Sequence, residues 1–195
     1  MSLAVTATSF QPSAEELPQA PGFSILQLAP GLYRLGVTGQ FTPGWLARLS
    51  AGLSGQQVSI VRGHARRVRA AQWEADFEIE MDPRAGDPRD LDYLSFLRET
   101  QAIPESDDLK LSDCQFRPAE SGGSGVWVEV QGADKIGFLK KVLKCFALFS
   151  LFPCELEIDT VGSDARDRFL LRGIAGAAPS GDAINGLREV LSAYR

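Results

Sequence analysis

The same succession of strands and helices is written twice in this chain, and that repetition constrains its fold more than any other feature. From Leu32 the residues predict strand, helix, strand, strand, helix, strand, and from Val126 the order starts again. In the first copy Leu32–Val37 reads as a strand. Trp45, Leu46, Leu49 and Leu53 then share one helical face, and Gly55 ends that helix. Thr42 is its expected N-cap and Pro43 its first residue. Two strands follow. In the second of them Ala71, Trp73, Ala75, Phe77, Ile79 and Met81 alternate without a break with Gln72, Glu74, Asp76, Glu78, Glu80 and Asp82. That is the period of a half-buried strand. Asp87-Pro88 opens a helix with Leu91, Leu94 and Leu97 on one face, and Leu109–Pro118 is a last strand.

In the second copy Val126–Gln131 is a strand. Ile136–Phe149 is a helix with Leu139, Val142, Leu143 and Phe146 inward and Lys140, Lys141 and Lys144 outward. Cys154–Val161 and Arg166–Arg172 are strands, and Ser180–Tyr194 is a helix with Ile184, Leu187, Leu191 and Tyr194 as its stripe. No final strand follows in the sequence, and Phe23–Leu28 is the segment available to replace it. The expected organisation is a flexible leader over 1–22, a first unit over 23–118, a linker over 119–125 (AESGGSG) and a second unit over 126–195.

Composition excludes several classes of function. The 195 residues carry 20 Lys+Arg and 25 Asp+Glu, a net charge of −5 that argues against general nucleic-acid binding. No run approaches the roughly 18 apolar residues of a membrane helix, and Met1–Thr6 has no signal-peptide pattern. Cys114, Cys145 and Cys154 form no CxxC pair and read as small buried hydrophobes of a cytoplasmic protein. His64 is the single histidine, so any scheme that needs two fails. It reads as a surface strand residue. No phosphate-binding loop, nucleophile elbow or HExxH occurs. The expectation is a non-catalytic protein without metal or cofactor.

The loop that opens the first helix of each copy carries the functional signal. Copy two has Asp134-Lys135-Ile136-Gly137-Phe138-Leu139, and copy one has Phe41-Thr42-Pro43-Gly44-Trp45-Leu46 in the same place. Both resemble the D-x-P-G-[LF]-L motif of ACT domains, small regulatory domains that sense amino acids. Copy two, from Asp134 through Leu171, is similar to the C-terminal ACT domains of bacterial uridylyltransferase nitrogen sensors. The resemblance implies two tandem ferredoxin-like (βαββαβ) α+β domains with antiparallel sheets and helices on one face. It also implies a free amino acid bound at a domain interface, a partner enzyme to regulate, and a homodimer. A glycine in the first turn and the unpaired N–H groups of a helix start suit a carboxylate.

The candidate ligand residues are Gln40, Phe41, Thr42, Pro43, Gly44 and Gln57 in copy one, read as the more polar pocket, and Asp134, Lys135, Ile136, Gly137 and Phe152 in copy two. Copy one has Phe41 where the family has Asp, and copy two has Ile136 where it has Pro. Pro153 cannot donate a backbone hydrogen bond. The alternative is therefore a ligand-free interaction or dimerisation module, its pockets filled by Phe41 and Phe152.

Charge patterning suggests how the copies meet. The second strand of copy one presents Arg62, His64 and Arg66, and that of copy two presents Glu155, Glu157 and Asp159. The expected hairpin registers set Arg62 against Asp76 and His64 against Glu74, and Asp159 against Arg168 and Glu155 against Arg172. Such second strands are sheet edges in a ferredoxin-like unit, and exposed edges invite pairing. Opposite charge predicts that the two edges join within one chain into a continuous sheet.

Overall fold

The computed structural model describes residues 20–69, 71–98, 109–119 and 124–195. The elements are β1 (Gly22–Ala29), β2 (Leu32–Gln40), α1 (Trp45–Gly55), β3 (Ser59–Arg69), β4 (Gln72–Glu80), α2 (Tyr93–Arg98), β5 (Leu111–Pro118), β6 (Val126–Ala133), α3 (Phe138–Leu148), β7 (Phe152–Val161), β8 (Asp164–Arg172) and α4 (Gly181–Ser192). All eight strands form one antiparallel sheet in the order β1-β2-β4-β3-β7-β8-β6-β5. The order reads the same from either edge once the two copies are superposed. Each half has a ferredoxin-like strand arrangement, and the fold class is α+β.

The joint is the one that charge predicted. β3 pairs with β7, setting Arg62 against Asp159, His64 against Glu157 and Arg66 against Glu155. Gly63 and Ala65 meet Ile158 and Leu156 on the same strands' other face, where the core lies. Phe77, Phe146 and Phe169 are fully buried there with Leu35, Leu49, Leu156 and Leu187. The opposite face is a ladder of exposed ion pairs, among them Arg62–Asp159 at 3.2 Å, Arg66–Glu74 at 3.3 Å and Arg168–Glu157 at 3.7 Å.

Several expectations are corrected. The strand expected to close the first unit, β5, pairs instead with β6, and β1 pairs with β2 rather than completing the second unit. Each half thus takes its outer strand from the chain before it. The segment 119–125 joins the two strands of the β5–β6 hairpin, with the Ala119 N–H donating to the Gly125 carbonyl at 3.1 Å. Residues 1–19 of the expected leader and 120–123 of the expected linker lie outside the described residues. Both hairpin registers differ by two positions from those expected: His64 faces Asp76, Arg62 faces Glu78, Glu157 faces Arg168 and Asp159 faces Arg166. A two-residue slip keeps every side chain on its own face, so the hydrophobic pattern allows either register.

The helix expected from Asp87 is broken. A 3₁₀ turn, Pro88–Asp90, is capped by the Asp87 carboxylate, and α2 starts only at Tyr93. Tyr93 and Phe96 turn inward while Leu94 is 38% exposed, so the Leu91/Leu94/Leu97 spacing does not mark the buried face. The Tyr93 hydroxyl donates to the Pro88 carbonyl at 2.7 Å and ties the two turns together. Tyr194, expected in the stripe of α4, is likewise exposed.

Candidate functional site

Two glycines set the geometry of the loops singled out by sequence. Gly44 (φ 82°, ψ 2°) and Gly137 (φ 91°, ψ 1°) are the N-cap residues of α1 and α3, both left-handed and both without a side-chain cap. Thr42 and Asp134 are therefore not caps. The Thr42 hydroxyl instead accepts from Arg48 Nη2 at 2.8 Å. A Cβ on Gly44 would come no nearer than 3.3 Å to the Arg48 tip, and one on Gly137 no nearer than 3.8 Å to Ser54 Oγ. Backbone conformation, not crowding, requires glycine at both places. The loops match in detail: the Phe41 N–H donates to the Ala71 carbonyl at 2.9 Å, and the Asp134 N–H to the Ser163 carbonyl at 2.7 Å. Phe41 thus corresponds to Asp134. At the other helix ends Gln57 (φ 59°) corresponds to Ser150 (φ 54°).

Each loop faces the other half of the sheet across the α1–α3 contact, giving two related cavities of opposite character. The loop of copy two opens on the more polar cavity, of about 30 Å³, where Asp134, Lys135, Thr160 and Asp167 and, from copy one, Ser50, Ser54 and Ser59 meet an apolar wall that includes Leu53, Ile60 and Ile158. That is room for about one water molecule. Asp167 is 1% exposed. Its Oδ1 and the Thr160 Oγ1 are buried without a hydrogen bond of good geometry. Burial pushes the Asp167 carboxyl up to about 8; the charge of Asp134 adds to the shift, a backbone hydrogen bond from Asp159 opposes it, and the charge of Asp159 adds to it again. Asp134 is also raised by burial, with the Thr160 hydroxyl acting against that.

The loop of copy one opens on a much larger cavity, about 460 Å³ and partly open to solvent. Its floor is aromatic: Phe41 stacks on Trp45 at 4.7 Å, and Trp45 meets the edge of Trp73 at 5.3 Å. Copy two supplies Leu143, Ala147, Leu151, Phe152 and Pro153, and Gly173, Ala175 and Gly176 close one side. Arg67 is the one charged side chain among the described lining residues. It occupies, on the helix face of β3, the place that Thr160 has on β7: Arg67 pairs with Trp73 as Thr160 pairs with Ala165.

The cavity at the loop of copy one is the more apolar of the two, the reverse of the expectation. Pro43 and Gly44 line the apolar cavity with Phe41 and Phe152, which leave it open rather than filling it. Gln40 and Thr42 line a separate groove of about 280 Å³ beside Arg48 and Leu97. Gln57 is exposed and lines none of these cavities, and Ile136 is exposed outside the polar one. Arg67, Trp73, Thr160 and Asp167 were missed. For Arg67 and Asp167 the signal was parity: Arg67 shares the face of Ala65, and Asp167 shares the face of Phe169, so each puts a charge where the pattern calls for core.

Among the described residues no three His, Cys, Asp or Glu side chains are grouped to hold a metal ion, and no helix is long and apolar enough to cross a membrane. No protein-family profile matches the chain, and no curated protein sequence matches it. Among solved structures the chain is similar to aspartate kinase from Synechocystis, with a TM-score of 0.50 and 14% identity over 84% of this chain. It spans 27% of that chain. The likeness is one of fold.

Proposed function

We propose that this chain is a non-catalytic regulatory protein that binds a small molecule in the apolar cavity between its two halves. The observation that carries this reading is the cavity itself. It has the volume of a small-molecule site, it is built from both halves, and it opens at the loop that resembles the ligand loop of ACT domains. The resemblance to the uridylyltransferase sensors, and a fold likeness confined to about a quarter of an enzyme chain, both support a regulatory role. The resemblance implies a free amino acid or a close relative as the ligand. A ligand seated there touches α1 from one half and α3 from the other, so it favours one relative position of the halves. A partner enzyme, or a second copy docking on the outer strands β1 and β5, would read that preference.

Thermal denaturation of the full chain against the twenty amino acids and small apolar carboxylates tests this. A bound ligand at a hundred times its dissociation constant stabilises by about 2.7 kcal/mol. Ala47→Trp, which places an indole in the cavity, should abolish that shift while leaving the circular dichroism spectrum unchanged. A flat response to every compound would favour the ligand-free interaction module, a reading supported by the mutual stacking of Phe41 and Trp45.

A further inference from the structure

The chemistry of the apolar cavity narrows its ligand further than the resemblance does. We infer that it selects an apolar monocarboxylate that lacks an ammonium group, such as a 2-oxo acid or an aryl-alkanoic acid, over the corresponding amino acid. The inference rests on the reading of this cavity as a ligand site. An amino acid presents two charges, and both must be matched on leaving water. A carboxylate finds Arg67, half-buried on the helix face of β3 and without an acidic partner among the described residues. An ammonium finds no carboxylate, because Phe41 stands where copy two has Asp134 and no Asp or Glu lines this cavity.

Three backbone acceptors around the cavity are already engaged. The carbonyls of Ala71, Ala147 and Gly173 accept from the N–H groups of Phe41, Ser150 and Gly176. The rest of the wall offers aromatic and aliphatic surface. An apolar body with one negative end matches that wall, whereas an added ammonium would give up water in this partly open cavity with no carboxylate to pair with, which disfavours binding. The two related cavities differ in the same sense throughout: where the polar one has acid and hydroxyl, this one has an aromatic ring and a guanidinium.

Calorimetric titration of the full chain with matched pairs tests the selection: phenylpyruvate against phenylalanine, and 4-methyl-2-oxopentanoate against leucine. The oxo acid of each pair should bind at least tenfold more tightly. Arg67→Gln should weaken the acids at least tenfold with the melting temperature of the free protein little changed. Ala47→Asp, which adds a carboxylate to the wall, should narrow or reverse the preference. Amino acids binding as tightly as their oxo acids would overturn the inference while leaving the ligand site standing, and so would acid affinity that survives Arg67→Gln. Binding by neither member of either pair would remove the ligand site and this inference with it.

Discussion

His64 lies directly opposite Glu157, its own structural counterpart in the second repeat. The pseudo-twofold axis of the molecule runs between them. Arg62 and Arg66, placed symmetrically about His64, face Asp159 and Glu155, each the counterpart of the other arginine. Two identical first repeats joined in this way would stack Arg62 on Arg66 twice and His64 on itself. The charge swap therefore disfavours the same joint between copies and favours it within the chain.

Reversing that charge should show as a register-specific penalty. Arg62 bridges Asp159 at 3.2 Å and Glu78 at 3.9 Å. Arg62→Glu is expected to destabilise by about 1 kcal/mol, since exposed ion pairs contribute little each. Adding Asp159→Arg should recover part of the loss, more at low salt than at high. Urea denaturation of the two single variants and the double variant measures the coupling.

The left-handed glycines should tolerate alanine poorly although there is room for it. A left-handed conformation costs an L-residue roughly 1–2 kcal/mol. Gly44→Ala and Gly137→Ala should each lose about that much. Gly137→Asn should lose less than Gly137→Val, because Asn adopts this conformation most readily after glycine. Chemical denaturation gives the ranking; equal losses for Asn and Val would point to crowding instead.

Gly52→Ala should lower stability, against the usual gain from alanine in a helix. A Cβ there would lie 2.2 Å from Phe96 Cγ, where α2 packs on α1. The second half uses the same device with the roles exchanged, Gly186 of α4 receiving Phe149 at 2.4 Å. Overpacking of this kind costs about 1–3 kcal/mol. In a Phe96→Ala background, which removes the Cγ and Cδ1 atoms nearest that Cβ, the penalty of Gly52→Ala should shrink, as melting temperatures would show.

Asp167 gives the molecule a pH dependence of stated sign. Burial, with Asp134 adding, holds its folded pKa up to about 8 against an ordinary value of 3.8. Its stabilising contribution is full below the ordinary value and is lost as pH rises towards 8. Asp167→Asn, which keeps the shape and cannot ionise, should flatten that slope. The variant should be more stable than the parent at pH 8, by on the order of a few kcal/mol, and no more stable at pH 3. Denaturation midpoints across that range decide it.

The parts of the fold legible in the sequence were those fixed by facing direction. Alternation from Trp73 to Ile79 marked β4, and the signs of Arg62 and Asp159 marked the β3–β7 joint. What escaped was fixed by turns. A two-residue turn, Gly162-Ser163 with Gly162 at φ 67°, sets Val161 against Asp164 and moves the whole β7–β8 register by two. In the other hairpin the pairing starts with Arg69 opposite Gln72, and a one-residue shift between Arg69 and Arg67 leaves Arg62 opposite Glu78. The Gly/Ser composition of 119–125 reads as a linker although its ends close a hairpin, which hid the allegiance of β5. In the site, the loops were visible through their glycines. The cavity chemistry was not, because Arg67 and Asp167 act from strand positions that only the tertiary fold brings to the loops.

The supply of each outer strand from the preceding stretch of chain has a consequence for synthesis. A chain emerging from the ribosome carries every strand of the first half-sheet, β1 to β4, before β5 exists. The first half can then close its own hairpins without waiting for distant residues, and so can the second. The basic edge of β3, which the finished sheet covers, stays open during translation, guarded by its own like charges until β7 arrives to cover it.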